Sequence, residues 1–329
     1  MRCYKILVDN KVLFELNKTN LYAPRIRFQI QAFKDNYGLA FIDIFNIELS
    51  NFTGGAKALL NKAIELHAWI ESTPMNQLIG YKKELNTCIY KGYIGNVIPN
   101  YNFGKETCLT IAMIQKDIKA NKKIETQKIL FKVSKGSLVI SEVKRVLSLL
   151  YPNSKISVAT TQMQSIYSLI SKITMQQVID SIDGLISLLQ NFKNNNNYLR
   201  IYKGIYNELI IALNDFKDND LPLYYDFNVN TTDLLEQPQF IDYNIIQLST
   251  RISGKYQPCK TLRLPNNMAL NISSISTRVP YFSDAGDFFN KLFFSGNFII
   301  NEVWHIGDSH NIQAQQWSTN LKATCLLNL

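Results

Sequence analysis

The spacing of apolar residues changes period twice along this 329-residue chain. That pattern constrains the fold more than any single motif. Over the first third, apolar and polar residues alternate, as in Ile26-Arg27-Phe28-Gln29-Ile30-Gln31 and Ala63-Ile64-Glu65-Leu66-His67-Ala68-Trp69-Ile70. Period two marks strands with one buried face. Further strands are predicted at Ile6–Val8 and Val12–Phe14 around the turn Asp9-Asn10-Lys11, and at Leu39–Ile47, Thr87–Ile94 and Glu106–Ile114. A short helix is predicted within Phe52–Asn61. Six or seven strands at regular spacing favour a barrel or sandwich.

In the middle the period lengthens. Leu138, Val139, Val143, Val146, Leu147 and Leu150 predict a helix over Ser137–Tyr151, with Pro152 just past its end. Val178, Ile179, Ile182, Leu185, Ile186 and Leu189 predict a second over Thr174–Leu189, with Thr174 as its N-cap. Short strands at Ile156–Val158, Tyr198–Tyr202 and Leu209–Leu213 complete a small α/β unit. Asp218-Asn219-Asp220-Leu221-Pro222 is the strongest break in the chain. Strands then return at Ile245–Ile252 and Lys260–Leu264, expected to pair with each other. Ala285–Phe294 reads as a short helix. The fold class is mainly β with an α+β insertion: β-barrel domains over 1–128 and 218–329 flank a small α/β domain over 129–217.

The chain closes on a hairpin. Its first arm runs over Gly296–Ser309 and its second over Gln316–Ala323, with Gly307-Asp308-Ser309 in the connection and Trp304 and Trp317 flanking it. At least one tryptophan is expected in the core; the alternative for the other is an interface anchor. His305, Asp308 and His310 fall within six residues and invite a metal reading. Strand alternation separates them, so a strand histidine and a turn-capping aspartate are expected instead. Gly307-Asp308-Ser309 resembles the start of a serine hydrolase motif, but that motif belongs after a first strand and needs a later histidine.

The chain has no phosphate loop, dinucleotide fingerprint, HExxH or GxSxG. Three histidines leave few ways to build a nucleophilic triad. Asp180 and Asp183 share a helical spacing that suits a solvated face. Five dispersed cysteines (Cys3, Cys88, Cys108, Cys259, Cys325) read as reduced thiols. No catalytic, cofactor or metal residue is assigned, and no enzymatic activity is expected. The net charge of +9 opens a second reading, a nucleic-acid-binding barrel. The basic residues are spread thinly, however, with one cluster at Lys116–Lys128. The N-terminus meets Asp9 before any long apolar stretch and reads as a first strand rather than a signal peptide.

Several stretches carry a resemblance. Phe41–Ile47 looks like a strand ending in an I-x-N-I step. Ile89-Tyr90-Lys91-Gly92-Tyr93-Ile94 looks like an F-x-G-x-I strand, and Leu234-Leu235-Glu236-Gln237-Pro238 occupies the place of an L-L-N-P turn. Phe298, Ile300, Val303, His305, Gly307, Asp308, Trp317 and Thr319 follow a closing Y-x-V-x-x-V-x-H-x-G-D…W-x-T pattern. In this order they resemble the central hub proteins of phage tail baseplates, and the matching half of type VI secretion spikes. The resemblance implies two related barrels in each subunit of a homotrimer, so that six near-equivalent barrels meet a six-fold tail tube and the other end seats a trimeric spike. It also implies a structural virion protein of the tail baseplate, assembled in the host cytoplasm, without cofactors or a membrane span. The partners implied are the tail tube protein, the central spike protein and other baseplate proteins; nucleic acid would only pass through the lumen. Gly92, Pro238, Trp304, His305, Gly307, Asp308, Trp317 and Thr319 are its structural motif residues.

Overall fold

Two residues set the first turn. In a computed structural model of the chain, Asp9 and Asn10 both take positive φ, 48° and 64°, between β1 (Arg2–Val8) and β2 (Lys11–Leu16). Two successive left-handed residues match the twist of a two-residue hairpin, and Asn and Asp tolerate that conformation best after glycine. Residues 1–33, 38–47, 55–71, 87–102, 106–114, 128–152, 154–159, 163–192, 199–203, 208–213, 226–242, 245–264 and 297–326 are described. The predicted helix at Ala285–Phe294, the Asp218–Pro222 break and nearly all of the Lys116–Lys128 cluster lie outside them.

The remaining strands of the first third are β3 (Ile26–Phe33), β4 (Ala40–Phe45), β5 (Ala63–Ile70), β6 (Cys88–Asn102) and β7 (Glu106–Ile114). Their alternation is legible in burial: along β3, Ile26, Phe28, Ile30 and Ala32 are buried while Arg27 and Gln29 are exposed. The last third supplies β13 (Phe227–Asn228), β14 (Gln239–Asp242), β15 (Ile245–Arg251), β16 (Thr261–Arg263), β17 (Asn297–Asp308) and β18 (Trp317–Leu326). These strands join into one sheet in the order β14-β15-β18-β17-β3-β4-β7-β6-β5-β1-β2, with β16 bridging β13 and β17. The mainly β character holds. The described strands trace one open hydrogen-bonded path across the first and last thirds, and one apolar core takes residues from both.

The middle unit has its own core. It comprises β8 (Ile129–Val133), α1 (Val139–Leu150), β9 (Lys155–Val158), α2 (Met163–Tyr167), β10 (Met175–Ile179), α3 (Ile182–Leu189), β11 (Leu199–Lys203) and β12 (Glu208–Leu213). α1 lies where its spacing predicts and buries Val139, Ile140, Val143, Val146, Leu147 and Leu150. The predicted Thr174–Leu189 helix is instead a strand followed by a helix. Met175–Ile179 pairs antiparallel with β8. Ser181 then caps α3, its Oγ accepting from the Gly184 N–H at 3.2 Å. Ile179 and Leu185 face one core from two different elements, which imitates a single helical stripe. Thr174 caps no helix; its Oγ1 accepts from the Lys135 N–H. The other face of the β9–β12–β11 sheet packs Tyr202, Ile210 and Ala212 against Cys259, seating the unit on the loop before β16. No helix among the described residues is long and apolar enough to cross a membrane.

One predicted pairing is corrected. β15 and β16 do not pair: β15 lies between β14 and β18, and β16 between β13 and β17. The closing hairpin supplies a better-matched neighbour to each.

Candidate functional site

The closing hairpin is the joint of the whole sheet. β17 pairs with β18 along its length and, on its other edge, with β3 from Glu302↔Phe33 to Asp308↔Arg27. An extra residue enters β17 between Ile300 and Glu302. This bulge at Asn301 reverses the phase of the alternation. Phe298 and Ile300 point inward before it, and Val303, His305 and Gly307 point inward after it. The Asn301 side chain bonds Thr324 Oγ1 at 2.6 Å.

Gly307 lies opposite Phe28 on one side and Trp317 on the other. A Cβ added there would sit 2.1 Å from Phe28 Cζ. The ring occupies the space a side chain would need, and it meets Trp317 edge-on at 5.2 Å between centroids. Trp317 is 1% exposed, and its Nε1–H donates to the Trp69 carbonyl on β5 at 3.2 Å. Glycine is therefore required at 307 by close approach, so that two aromatics can stack over the seam.

The next row is polar. Asp308 receives two hydrogen bonds from Arg25, Nε to Oδ1 at 3.2 Å and Nη2 to Oδ2 at 2.8 Å. Its Oδ1 also accepts from the His310 N–H at 3.0 Å, and Arg2 Nη1 donates to its backbone carbonyl at 2.8 Å. Burial works to raise the Asp308 pKa. The hydrogen bonds from Arg25 and from the turn N–H groups, with the nearby guanidinium charge, outweigh burial and hold it below the ordinary carboxylate range. Ser309 ties the turn to β3: its N–H donates to the Ile26 carbonyl and its Oγ accepts from the Ile26 N–H, each at 3.0 Å. Arg25 also lies over the Phe45 ring at 4.8 Å.

His305 is fully buried, and its Nδ1 is 2.9 Å from Thr319 Oγ1 on β18. Thr319 Oγ1 in turn accepts from the Ser253 N–H at 3.0 Å. Among the described residues Nε2 meets no hydrogen-bond partner. Burial alone drives the imidazole pKa down to about 3, so the ring is neutral at physiological pH. His305, Asp308 and His310 do not converge. The first points into the core, the second grips Arg25, and the third is exposed. Among the described residues no group of three or more His, Cys, Asp or Glu side chains could hold a metal ion.

Of the other predicted motif residues, Gly92 sits in β6 opposite Ile64, where a Cβ would come within 2.5 Å of the Ile114 carbonyl oxygen. Pro238 is buried immediately before β14. Trp304 faces away from the core and is 38% exposed, so Trp317 is the core tryptophan of the pair. The structure thus gathers Trp304, His305, Gly307, Asp308, Trp317 and Thr319 on one hairpin and leaves Gly92 and Pro238 elsewhere. Arg2, Arg25, Phe28 and Trp69, which complete the seam, carry no local signal in the sequence.

No protein-family profile and no curated protein matches the chain in sequence. Solved structures match it in fold. The tail protein from Neisseria meningitidis MC58 aligns over 98% of this chain and 96% of its own, at 9% identity and a TM-score of 0.50. The 43 kDa tail protein of prophage MuSo2 from Shewanella oneidensis aligns over 99% and 97%, at 8% identity and a TM-score of 0.50. The chain has a tail-protein fold. The Escherichia coli c3393 protein, a type VI secretion component described as similar to the T4 tail proteins gp27 and gp5, aligns over 98% of this chain and 76% of its own, at 9% identity and a TM-score of 0.49. The two tail proteins bear out, at the level of fold, the resemblance read from the sequence. In this tail-protein fold the closing hairpin is the strand pair that makes the first and last thirds one sheet.

Proposed function

We propose that this chain is a structural, non-enzymatic component of a phage tail or tail-like injection machine. In the fuller form of the reading it is the baseplate hub, a homotrimer that adapts a six-fold tail tube to a three-fold central spike. Its partners are then the tube, spike and neighbouring baseplate proteins, and its place is the virion tail, reached by assembly in the host cytoplasm. The observation that carries the reading is the near-complete two-way alignment with two tail proteins, 98% on 96% and 99% on 97%. The chemistry of the hairpin supports it. Asp308 is spent on Arg25 and His305 is sealed inside the core, which is what a joint needs and a catalyst does not.

Light scattering on the purified chain at micromolar concentration, alone and mixed with its tail tube and spike proteins, tests the assignment. The expected species is a trimer, three times 37.8 kDa or about 113 kDa, seen as a three-lobed ring at tube ends in negative-stain images. A chain that stays monomeric and binds neither protein in the mixture overturns it.

A further inference from the structure

The β8–β10 ribbon of the middle unit treats its two edges differently. On β8 the outward backbone groups are taken. The Lys132 N–H donates to Glu142 Oε1 at 2.7 Å, and the Leu130 carbonyl accepts from Arg145 Nη2. Glu142 and Arg145 are themselves paired at 2.7 Å on α1, so an ion pair seals this edge against another strand. The register sets Val178 opposite Leu130 and Gln176 opposite Lys132. In an antiparallel ladder the residues opposite those two also point their backbone groups outward. Among the described residues, no strand pairs with that edge of β10.

The solvent face of the same ribbon sets an apolar pair beside a polar one, Gln176 opposite Lys132. Leu130 and Val178 face each other across it, and beyond the ladder the two segments run on to a bridge between Leu138 and Ile170, with Ile173 beside it. These five side chains are each between 42% and 53% exposed. Around them stand Lys128, Lys132, Lys135 and Lys172, all exposed, and across residues 128–138 and 169–180 the one carboxylate is Asp180.

We propose that the β10 edge and the face beside it receive a β-strand from a partner protein, one that carries apolar side chains and carboxylates by turns on the face it shares with Leu130, Lys132 and Val178. Strand addition satisfies the outward groups of Gln176 and Val178, and the partner's apolar side chains cover Leu130 and Val178. Its carboxylates meet the lysines. A second copy of the chain would set these lysines against their own kind, and an open backbone edge is costly in lipid. The inference rests on the ribbon alone and stands apart from the hub assignment.

The probe is a fluorescein-labelled peptide of about nine residues with valine and glutamate taking turns at every second position and threonine between them, a strand-length segment, titrated with the full chain and read by anisotropy. Its valine–lysine counterpart and phosphatidylserine vesicles run in parallel. The glutamate peptide is expected to bind in a salt-dependent manner, with the lysine peptide at least about tenfold weaker. Val178→Pro removes an edge N–H that pairs with no strand among the described residues and is expected to weaken binding by about tenfold. Lys132→Glu, at an exposed position, is expected to do the same and carries the test if the proline variant misfolds. No binding of the glutamate peptide, equal binding of both peptides, full binding by both variants, or capture of vesicles in place of the peptide overturns the proposal.

Discussion

Gly307→Ala adds one methyl group where the seam has no room for it. The new Cβ would lie 2.1 Å from Phe28 Cζ and 2.2 Å from Cε1, whereas carbon atoms rest at about 3.5–4.0 Å. The ring must therefore retreat by more than an ångström. Trp317 stands in its path, edge-on at 5.2 Å, 1% exposed and held by its bond to the Trp69 carbonyl. Overpacking of this kind costs about 1–3 kcal/mol. With the ring blocked, the cost belongs near the upper end, about 3 kcal/mol. Urea unfolding followed by tryptophan fluorescence measures it, since Trp69 and Trp317 both report on this row. The decisive comparison is made in a Phe28→Leu background. A smaller side chain leaves room for the methyl group, so Gly307→Ala should then cost less than about 1 kcal/mol, a coupling of about 2 kcal/mol between the two sites. A change within about 0.5 kcal/mol of the wild type, or the same loss in both backgrounds, would refute the argument that Phe28 is the reason for glycine at 307.

Two further predictions concern the polar groups of the hairpin. His305 titrates at its ordinary 6.5 when unfolded and at about 3 when folded, so the unfolded chain takes the proton first. Stability from this group is complete above about pH 6.5 and is lost between there and about pH 3, by about 1.4 kcal/mol per unit. Urea midpoints at about pH 6 and about pH 4 should therefore fall less steeply for His305→Gln than for the wild type; equal slopes would show that the ring does not carry the effect. Asp308→Ala removes the two hydrogen bonds that Arg25 donates to this carboxylate and takes the Oδ1 acceptor from the His310 N–H, for a loss of about 2–3 kcal/mol by calorimetry. Asp308→Asn keeps an acceptor and should lose about 1 kcal/mol less; an asparagine variant no better than the alanine one would show that the turn bond contributes nothing.

How much was legible depends on the distance over which each interaction acts. The first turn, expected over Asp9-Asn10-Lys11 and closed by Asp9 and Asn10 with Lys11 already in β2, and the α1 helix were legible because their causes are local: residues that tolerate positive φ, and apolar side chains at helical spacing. The Thr174–Leu189 segment was misread because Ile179 and Leu185 reach one core from a strand and from a helix, and spacing alone cannot tell that from one stripe. The closing hairpin was predicted as a strand pair with Trp317 or Trp304 inside. Nothing in its own residues names β3 as the neighbour of β17, or Arg25, 283 residues away, as the partner of Asp308.

The sequence by itself determined the sequence of elements: strands, a small α/β unit, strands again, and a final hairpin whose order of residues resembles that of tail hub proteins. Periodicity and turn chemistry suffice for that, because both are written within a few residues of each other. Only the tertiary structure decided that the first and last thirds share one sheet and one core, that the bulge at Asn301 turns His305 and Gly307 inward, and that Gly307 is empty so that Phe28 can meet Trp317. Strand order and aromatic close approach depend on surfaces brought together from distant parts of the chain. His305, Gly307, Asp308, Ser309 and His310 were read as a turn and its supports, with Gly307-Asp308-Ser309 in the connection; Gly307 and Asp308 instead lie in β17, which the fold makes the joint between the first and last thirds of the chain.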